Sequence, residues 1–290
     1  MPPDFDVLWD FSDPAGTETA FRELLDGADD ALKNTDWLWQ LLTQIARAQG
    51  LQRQFDAARR TLDEVESHLP DAGDTTRVRW LLERGRVFNS SKQPEQARPL
   101  FLEAWELART SGDDGFAVDA AHMLGIVEPP DAALDWNRRS LELATTSADP
   151  RARRWAGSLH NNIGWSHFGR QDYATALSHF EHALHCRIEQ GKTDDIRVAR
   201  WCVAKALRLL ERTAEALDIQ RQLHAEREAD GQPDGYVDEE LGECLLALSR
   251  PEEAAPHFAD AHRLLSQDPW LTENEPDRLA RLESLSSDEG

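Results

Sequence analysis

The sequence predicts an all-α protein made of a stacked array of paired helices. One alanine, the marker alanine, recurs in similar surroundings at steps of 39, 36, 43, 40 and 38 residues along the 290-residue chain. A small residue stands twelve positions before each marker. The markers are Ala58, Ala97, Ala133, Ala176, Ala216 and Ala254. A repeat of this length is typical of arrays in which each unit covers the apolar face of its neighbour.

The spacing around the markers predicts two antiparallel helices in each unit. The small residues that precede the markers are Ala46, Gly85, Ala121, Gly164, Ala204 and Gly242. Small side chains at these positions allow the two helix backbones to cross closely. Phe55, Pro94, Pro130, Tyr173, Thr213 and Pro251 stand three positions before the markers. Proline suits the first turn of a helix because its missing N–H has no helical partner there.

Additional helices are predicted at both ends of the array. Asp13-Pro14 has the form of an N-cap followed by a first-turn proline, which predicts a helix over residues 17–32. Near the C-terminus, Leu279, Leu282 and Leu285 follow one another at helical spacing. These helices would cover the apolar flanks of the first and last units.

The predicted organisation therefore has three parts. They are an N-terminal capping segment over 1–34, repeats over 35–268 and a C-terminal capping helix with a frayed tail over 269–290.

The segment 161–184 resembles a tetratricopeptide repeat (TPR). Gly164, Tyr173, Ala176, Phe180 and Ala183 match the small, aromatic, small, aromatic and small positions of that family. The other units match in part, and the resemblance covers about residues 35 to 266. It implies a right-handed superhelical solenoid of about six helical hairpins. The steps exceed the family's usual period of about 34 residues, which implies longer helices or loops.

Charge and composition make several classes of partner unfavourable. The chain has 54 acidic and 32 basic residues, a formal net charge of -22, which opposes binding to nucleic acid or an anionic membrane surface. No apolar stretch reaches the roughly 18 residues of a membrane helix. The N-terminus lacks the pattern of a signal peptide, and the three cysteines form no close pair. These features predict a cytoplasmic protein, and the preference for Arg over Lys suggests a bacterial source.

The resemblance implies that the first helix of each pair lines a concave groove. The position eleven residues before each marker would then face the groove, with further groove residues one turn away. The predicted binding residues are Arg47, Arg86, Asn89, His122, Asn161, Asn162, Trp165, Trp201, Lys205 and Arg208. The cations would bind carboxylates of an extended peptide, which favours an acidic partner, and the two asparagines would bind its backbone.

A second interpretation of the same residues remains open. Glu83–Arg86 and Asp119–His122 have the spacing of pairs within one helix, which suits a solvated surface. Trp165 suits helix packing as well as it suits ligand contact.

Metal binding and catalysis find little support in the sequence. His179, His182, His185 and Cys186 share part of a helix, but no further residues complete a closed ligand set, so no metal or cofactor is predicted. His122 with Asp119 and Glu83 is the one acid–base cluster that can be assembled, and no established catalytic motif occurs.

The sequence therefore predicts a non-catalytic adaptor or scaffold that holds a protein or peptide segment in its groove. The alternatives are a sensor of a small signal or short peptide, an enzyme that uses His122, and a structural protein that assembles through its acidic convex face.

Overall fold

The computed structural model describes residues 2–32 and 35–287, and within these ranges the chain forms helices and no β-strand. The α-helices are α1 Pro14–Asp26, α2 Asp36–Leu51, α3 Phe55–Glu66, α4 Asp74–Ser90, α5 Pro94–Ser111, α6 Asp114–Val127, α7 Pro130–Thr146, α8 Pro150–Arg153, α9 Ala156–Gly169, α10 Tyr173–Gln190, α11 Thr193–Leu209, α12 Thr213–Ala229, α13 Gly235–Ala247, α14 Pro251–Leu265, α15 Pro269–Asn274 and α16 Pro276–Ser286. Short 3-10 helices span Phe5–Leu8, Asp30–Leu32 and Leu69–Asp71.

Helix α1 begins as predicted and ends earlier than predicted. The Asp13 carboxylate accepts the backbone N–H of Gly16, and Pro14 occupies the first helical position. The helix stops at Asp26 because Gly27 follows as its C-cap. The predicted continuation to residue 32 was therefore wrong, and Asp30–Leu32 forms a separate 3-10 turn.

Successive long helices pair through a turn of repeated geometry. In five of these turns a non-glycine residue adopts φ between 58° and 63°. These residues are Arg53, Lys92, Gln171, Glu211 and Ser249, each five positions before a marker alanine. In the first turn the N–H of Gln54 donates to the carbonyl oxygen of Gln49 at 2.9 Å, which closes the helix end.

Small residues and aromatic rings fill the crossing between paired helices. Five markers are buried, whereas Ala133 is half-buried. Four positions after the markers, the side chains are all buried. They are Leu62, Phe101, Asn137, Phe180, Gln220 and Phe258. The predicted close approach of the two helices is thus present in the structure.

The described chain divides into two compact units between residues 159 and 160. Unit 1 contains the N-terminal segment and α1 to α8, and its core joins Phe21, Ile45 and Phe101. Unit 2 contains residues 160–169 of α9 and α10 to α16, with Phe180 and Phe258 in its core.

The C-terminal helices pack on the last helix pair of unit 2. Leu279 and Leu282 of α16 are buried, as the leucine spacing predicts, and Leu285 is half-buried. Helix α15, whose Leu271 is buried, was not predicted. Residue 286 still belongs to α16, and residues 288–290 of the predicted frayed tail lie outside the described residues. The three-part division of the chain and the number of repeats stay predictions.

Within the described ranges, every helix is too short or too polar to span a bilayer.

Candidate binding faces of the two units

The predicted binding residues lie on first helices and are divided between the two units. Arg47 is on α2, Arg86 and Asn89 are on α4, and His122 is on α6, all in unit 1. Those in unit 2 are Asn161, Asn162 and Trp165 on α9, and Trp201, Lys205 and Arg208 on α11. The surface of α2, α4 and α6 is named face 1, and the surface of α9 from residue 160, α11 and α13 is named face 2.

The cations of face 1 are paired with buried acids of the same face. Arg47 contacts Glu83 at 3.1 Å, and Arg86 contacts Glu83 at 2.6 Å and Asp119 at 2.5 Å. Glu83 and Asp119 are 3% and 8% exposed. Burial opposes ionisation of Asp119, but the charges of Arg86 and Arg47 lower the pKa of this carboxyl below its usual value. Glu83 and Asp119 of the acid–base cluster considered from sequence therefore belong to an ion-pair network with Arg47 and Arg86.

Face 2 has a similar arrangement. Lys205 pairs with Glu240, and Arg208 Nε donates to the same carboxylate at 2.9 Å. Glu240 is 1% exposed, and although burial opposes its ionisation, Lys205 and Arg208 lower its pKa. The predicted binding cations Arg47, Arg86, Lys205 and Arg208 therefore each contact a carboxylate of the same face.

A recurring register explains these pairs. Arg47, Arg86 and Lys205 stand eleven positions before their markers, and each acid stands fourteen positions before the next marker. The acids were visible in the sequence as neighbours of groove positions. The fixed spacing between a basic residue in one unit and an acid in the next unit was the signal that could have identified these acids and bases as partners.

Residues 2–13, the N-terminal segment, lie on face 1. Asp6 pairs with Arg79 of α4, whose Nη1 also lies 3.1 Å from Asp6 Oδ1. The Arg79 guanidinium lies over Phe5 at 5.2 Å and over Phe116 of α6 at 5.0 Å from the ring centroids. The segment thus contacts α4 through its acid and its first aromatic ring.

The second half of the segment contacts α2. Trp9 Nε1 donates to Gln44 Oε1 at 3.1 Å, and the rings of Trp9 and Phe11 stack at 4.7 Å. The Arg47 guanidinium lies 5.7 Å and 5.4 Å from these two ring centroids. Sequence reasoning missed Arg79, although it lies seven residues before Arg86 and hence two turns away on the same helix side.

A cavity of about 200 Å³ remains open on face 1. It is lined by residues of α2, α4 and α6 that include Arg47, Glu83, Arg86 and Met123. Two buried polar atoms of residues that line it, Arg47 Nε and Glu83 Oε2, have no hydrogen-bond partner among the described residues. Arg47 and Arg86 keep 24% and 16% of their side chains exposed, so this part of face 1 reaches solvent.

Two further predicted residues of face 1 lie partly buried. The His122 ring packs on Trp155 at 4.9 Å. Burial lowers the pKa of His122, and the nearby Arg86 charge acts in the same direction. Asn89 is half-buried on α4.

The two predicted indoles are neighbours on face 2. The rings of Trp165 and Trp201 are 6.1 Å apart, and Lys205 Nζ lies 4.9 Å from the Trp201 centroid. Trp165 also packs on Phe180 of the core at 5.2 Å. Trp165 therefore packs against the core and is also partly exposed to solvent.

Trp201 also lines an apolar cavity of about 230 Å³ between α11, α12 and α13. Val198, Leu223 and Val237 supply apolar walls, and Arg227 stands among its polar residues. Trp201 Nε1 donates to the carbonyl oxygen of Tyr236 at 3.0 Å, which holds the indole against α13.

The asparagines of face 2 are half-buried. The Cys202 thiol lies 3.6 Å from Asn161 Oδ1. Burial raises the pKa of Cys202 to about 12, so this thiol stays protonated near neutral pH. Asn162 accepts the Ser166 hydroxyl through its backbone carbonyl at 2.9 Å.

Comparison with known proteins yields structural matches alone. No protein-family model matches the sequence. No curated protein matches it either.

Three solved proteins have a similar fold at low sequence identity. A STAND signal-transduction ATPase with a tetratricopeptide repeat sensor from Pyrococcus horikoshii matches with a TM-score of 0.71 and 12% identity, over 93% of this chain and 41% of its own. The Cut9–Hcn1 assembly of the APC/C matches at 0.61 and 17%, over 93% and 48%. The chain thus spans about half the length of these two proteins or less.

The third protein is the quorum sensor NprR from B. thuringiensis. Its apo form matches with a TM-score of 0.64 and 13% identity, over 93% of this chain and 74% of its own. The same protein has been solved in complex with its cognate peptide NprX, and that structure matches at 0.52 and 15%, over 94% and 78%. The chain therefore has the fold of tetratricopeptide-repeat proteins, an all-α array of stacked helical hairpins.

Proposed function

We propose that the chain is a non-catalytic module that binds an extended, acidic and aromatic peptide or protein segment on face 1. The observation that carries this proposal is the N-terminal segment, which occupies part of face 1 through side chains that an external peptide could supply. The similar fold of NprR, whose structure has been solved with a peptide, supports the same function.

The contacts of the N-terminal segment define the chemistry of the partner. Its residues include Asp6, which pairs with Arg79, and Trp9 and Phe11, which lie against Arg47. A segment with an acid three positions before an indole therefore contacts both arginines. An arginine that has both a carboxylate and an aromatic ring as neighbours is a strong recognition element, because it combines charge with stacking.

The adjoining cavity can receive a further group of the partner. Glu83 Oε2 and Arg47 Nε are buried without hydrogen-bond partners in residues that line it, and a polar group of the partner that reached these atoms would stabilise the complex. A peptide N–H suits the carboxylate oxygen, and a carbonyl oxygen suits the guanidinium. The predicted roles of Arg47 and Arg86 are thereby modified: they organise buried acids and contact the partner at their exposed edges.

The experiment uses the full chain and a fluorescent synthetic peptide with the sequence of residues 2–13. In the wild type the tethered segment competes with the free peptide at an effective concentration on the order of millimolar. Trp9→Ala weakens the tethered segment, so the variant should bind the peptide at least about tenfold more tightly than the wild type. Fluorescence anisotropy measures both affinities.

Two further variants in the Trp9→Ala background test the assigned face. Arg79→Ala should reduce binding strongly, because it removes the partner of the peptide's Asp side chain. Arg98→Ala is the matched control, since Arg98 is an exposed arginine of α5 that pairs with Glu128. Reversing the charge of Arg86 is unsuitable, because it would place a third carboxylate beside Glu83 and Asp119.

Equal affinity for the wild type and the Trp9→Ala variant would contradict the proposal, as would binding that is insensitive to Arg79.

The second candidate function is a sensor of a small apolar signal, and the cavity beside Trp201 favours it. That candidate would remain if the peptide bound to neither chain.

A further inference from the structure

We propose that His224, Asp238 and His257 of unit 2 form a binding site for a divalent transition-metal ion such as Zn²⁺. The three residues belong to α12, α13 and α14 and come together only in the folded chain. The proposal departs from the sequence expectation that the protein binds no metal, and it is independent of peptide binding on face 1.

The ligand atoms are already close to a coordination geometry. His224 Nδ1 and His257 Nδ1 lie 3.1 Å and 3.0 Å from Asp238 Oδ1, and one ligand atom of each residue lies within 4.8 Å of the others. Bonds of about 2.0–2.2 Å around a tetrahedral zinc ion place its ligand atoms about 3.3 Å apart. The two distances to Asp238 Oδ1 are within a few tenths of an ångström of this value, and the ligand atoms of the two imidazoles, which lie within 4.8 Å of each other, would have to reach the same separation when the ion binds.

The charge of the site favours a cation. Asp238 is 2% exposed, and both imidazoles direct Nδ1 at the same carboxylate oxygen. Arg263 acts on Asp238 electrostatically, but its guanidinium donates to Asp260. A divalent ion would supply the missing positive charge at the centre of the cluster.

A metal ion can reach the site from solvent beside the two histidines, which are partly exposed. The side chains of His224 and His257 are 31% and 26% exposed, whereas Asp238 forms the buried floor. Two imidazoles and one carboxylate are ligands that zinc accepts, and water can take the fourth position on the solvent side. No second group of three such residues with this proximity occurs in the part of the chain that the structure covers.

Another helix pair of unit 2 has a related but different pair of residues. Asp238 and His257 stand sixteen positions before and three positions after the marker Ala254. The same two positions around Ala176 are His160 and His179, whose Nδ1 atoms lie 3.0 Å apart. The carboxylate and the third ligand from α12 distinguish the proposed site from this histidine pair.

The test is zinc titration of the full chain, purified without a histidine tag and treated with a chelator. Isothermal titration calorimetry should give one saturable zinc per wild-type chain, and zinc should raise the melting temperature. Co²⁺ in place of Zn²⁺ should give the visible absorption of a four-coordinate ion. Asp238→Asn, His224→Gln and His257→Gln should each weaken zinc binding by at least about tenfold.

His185→Ala is the matched control, because His185 is an exposed histidine of α10 outside the site. Its zinc affinity should equal that of the wild type. If Asp238→Asn fails to fold, the two partly exposed histidine positions carry the test alone. Absence of saturable zinc binding by the wild type would overturn the proposal, and so would zinc binding that persists unchanged in all three ligand variants.

Discussion

His160 illustrates how a single residue can make stability depend on pH. Its Nδ1 lies 3.0 Å from His179 Nδ1, and its ring stacks on His182 at 5.0 Å. Burial lowers the pKa of His160 from 6.5 to about 4, and the nearby charges of His179 and His182 act in the same direction. The folded chain therefore keeps this imidazole neutral at pH values where the unfolded chain protonates it.

The free energy of unfolding should consequently decrease as the pH falls from about 6.5 towards about 4. In this interval the unfolded state binds more protons, so stability rises with pH and the His160 contribution is complete above 6.5. We expect a loss of roughly 1 kcal/mol in the wild type, less than the full pKa shift implies because the half-buried His160 ring is screened by solvent. Urea unfolding between pH 7 and pH 5 measures this loss, which should be smaller in His160→Gln.

The pH dependence of stability that remains in the His160→Gln variant has an identified cause. Burial also lowers the pKa of His122, so that residue destabilises the fold in the same direction. Restricting the measurement to pH 5 and above keeps most carboxyl titrations outside the interval. An unchanged slope in the His160→Gln variant would exclude the assigned role.

At the scale of helices, glycine at the crossing is required by an aromatic ring of the paired helix. A Cβ on Gly164 would lie 2.5 Å from Phe180 Cε1, and one on Gly242 would lie 2.7 Å from Phe258 Cε1. Gly85 stands in the same position against Phe101. Since each phenylalanine is buried, it cannot move aside without disturbing the core.

Gly164→Ala should therefore lower the free energy of unfolding by about 1–3 kcal/mol through overpacking. Chemical denaturation followed by circular dichroism measures the change. Gly169→Ala is the matched control on the same helix, because a Cβ there meets no atom within 4 Å. The control should be neutral or slightly stabilising, since alanine restricts the unfolded chain. Equal stability of the two variants would contradict the packing argument.

At the scale of the whole chain, the dominant electrostatic feature is the net charge of -22. Many local charges are paired, as on face 1 and face 2, but paired charges leave the net excess unchanged. Exposed ion pairs contribute about 0–1 kcal/mol each, whereas a large net charge repels itself throughout the folded state. Screening should therefore relieve more repulsion than it removes attraction.

We expect the melting temperature at pH 7 to rise by about 2–4 °C between 10 and 150 mM sodium chloride. Over this range the Debye length falls from about 30 Å to about 8 Å, and a gain of roughly 1 kcal/mol corresponds to such a shift. Differential scanning calorimetry provides the measurement. The rise should disappear near the isoelectric point of 4.8, where the net charge vanishes. A fall in melting temperature with salt at pH 7 would mean that the paired charges dominate.

Much of the fold could be predicted from the sequence, because helix pairing depends on local spacing. A small residue such as Gly164 and a ring such as Phe180 recur at fixed distances from a marker, and their packing requires two helices to cross there. Asp13 and Gly16 form a helix start within a few residues of one another. The candidate faces followed from the same register, as the placement of Arg47 and Lys205 on first helices indicates.

The tertiary structure alone decided what those residues contact. Asp6 and Arg79 are 73 positions apart, and His224, Asp238 and His257 come from three helices, so no local period connects them. Sequence spacing determines which side of a helix a residue occupies, but a surface rich in charges allows many pairings. The stacking of helices brings particular acids and bases within hydrogen-bond distance. Burial then strengthens the attraction within those pairs, because little water screens it.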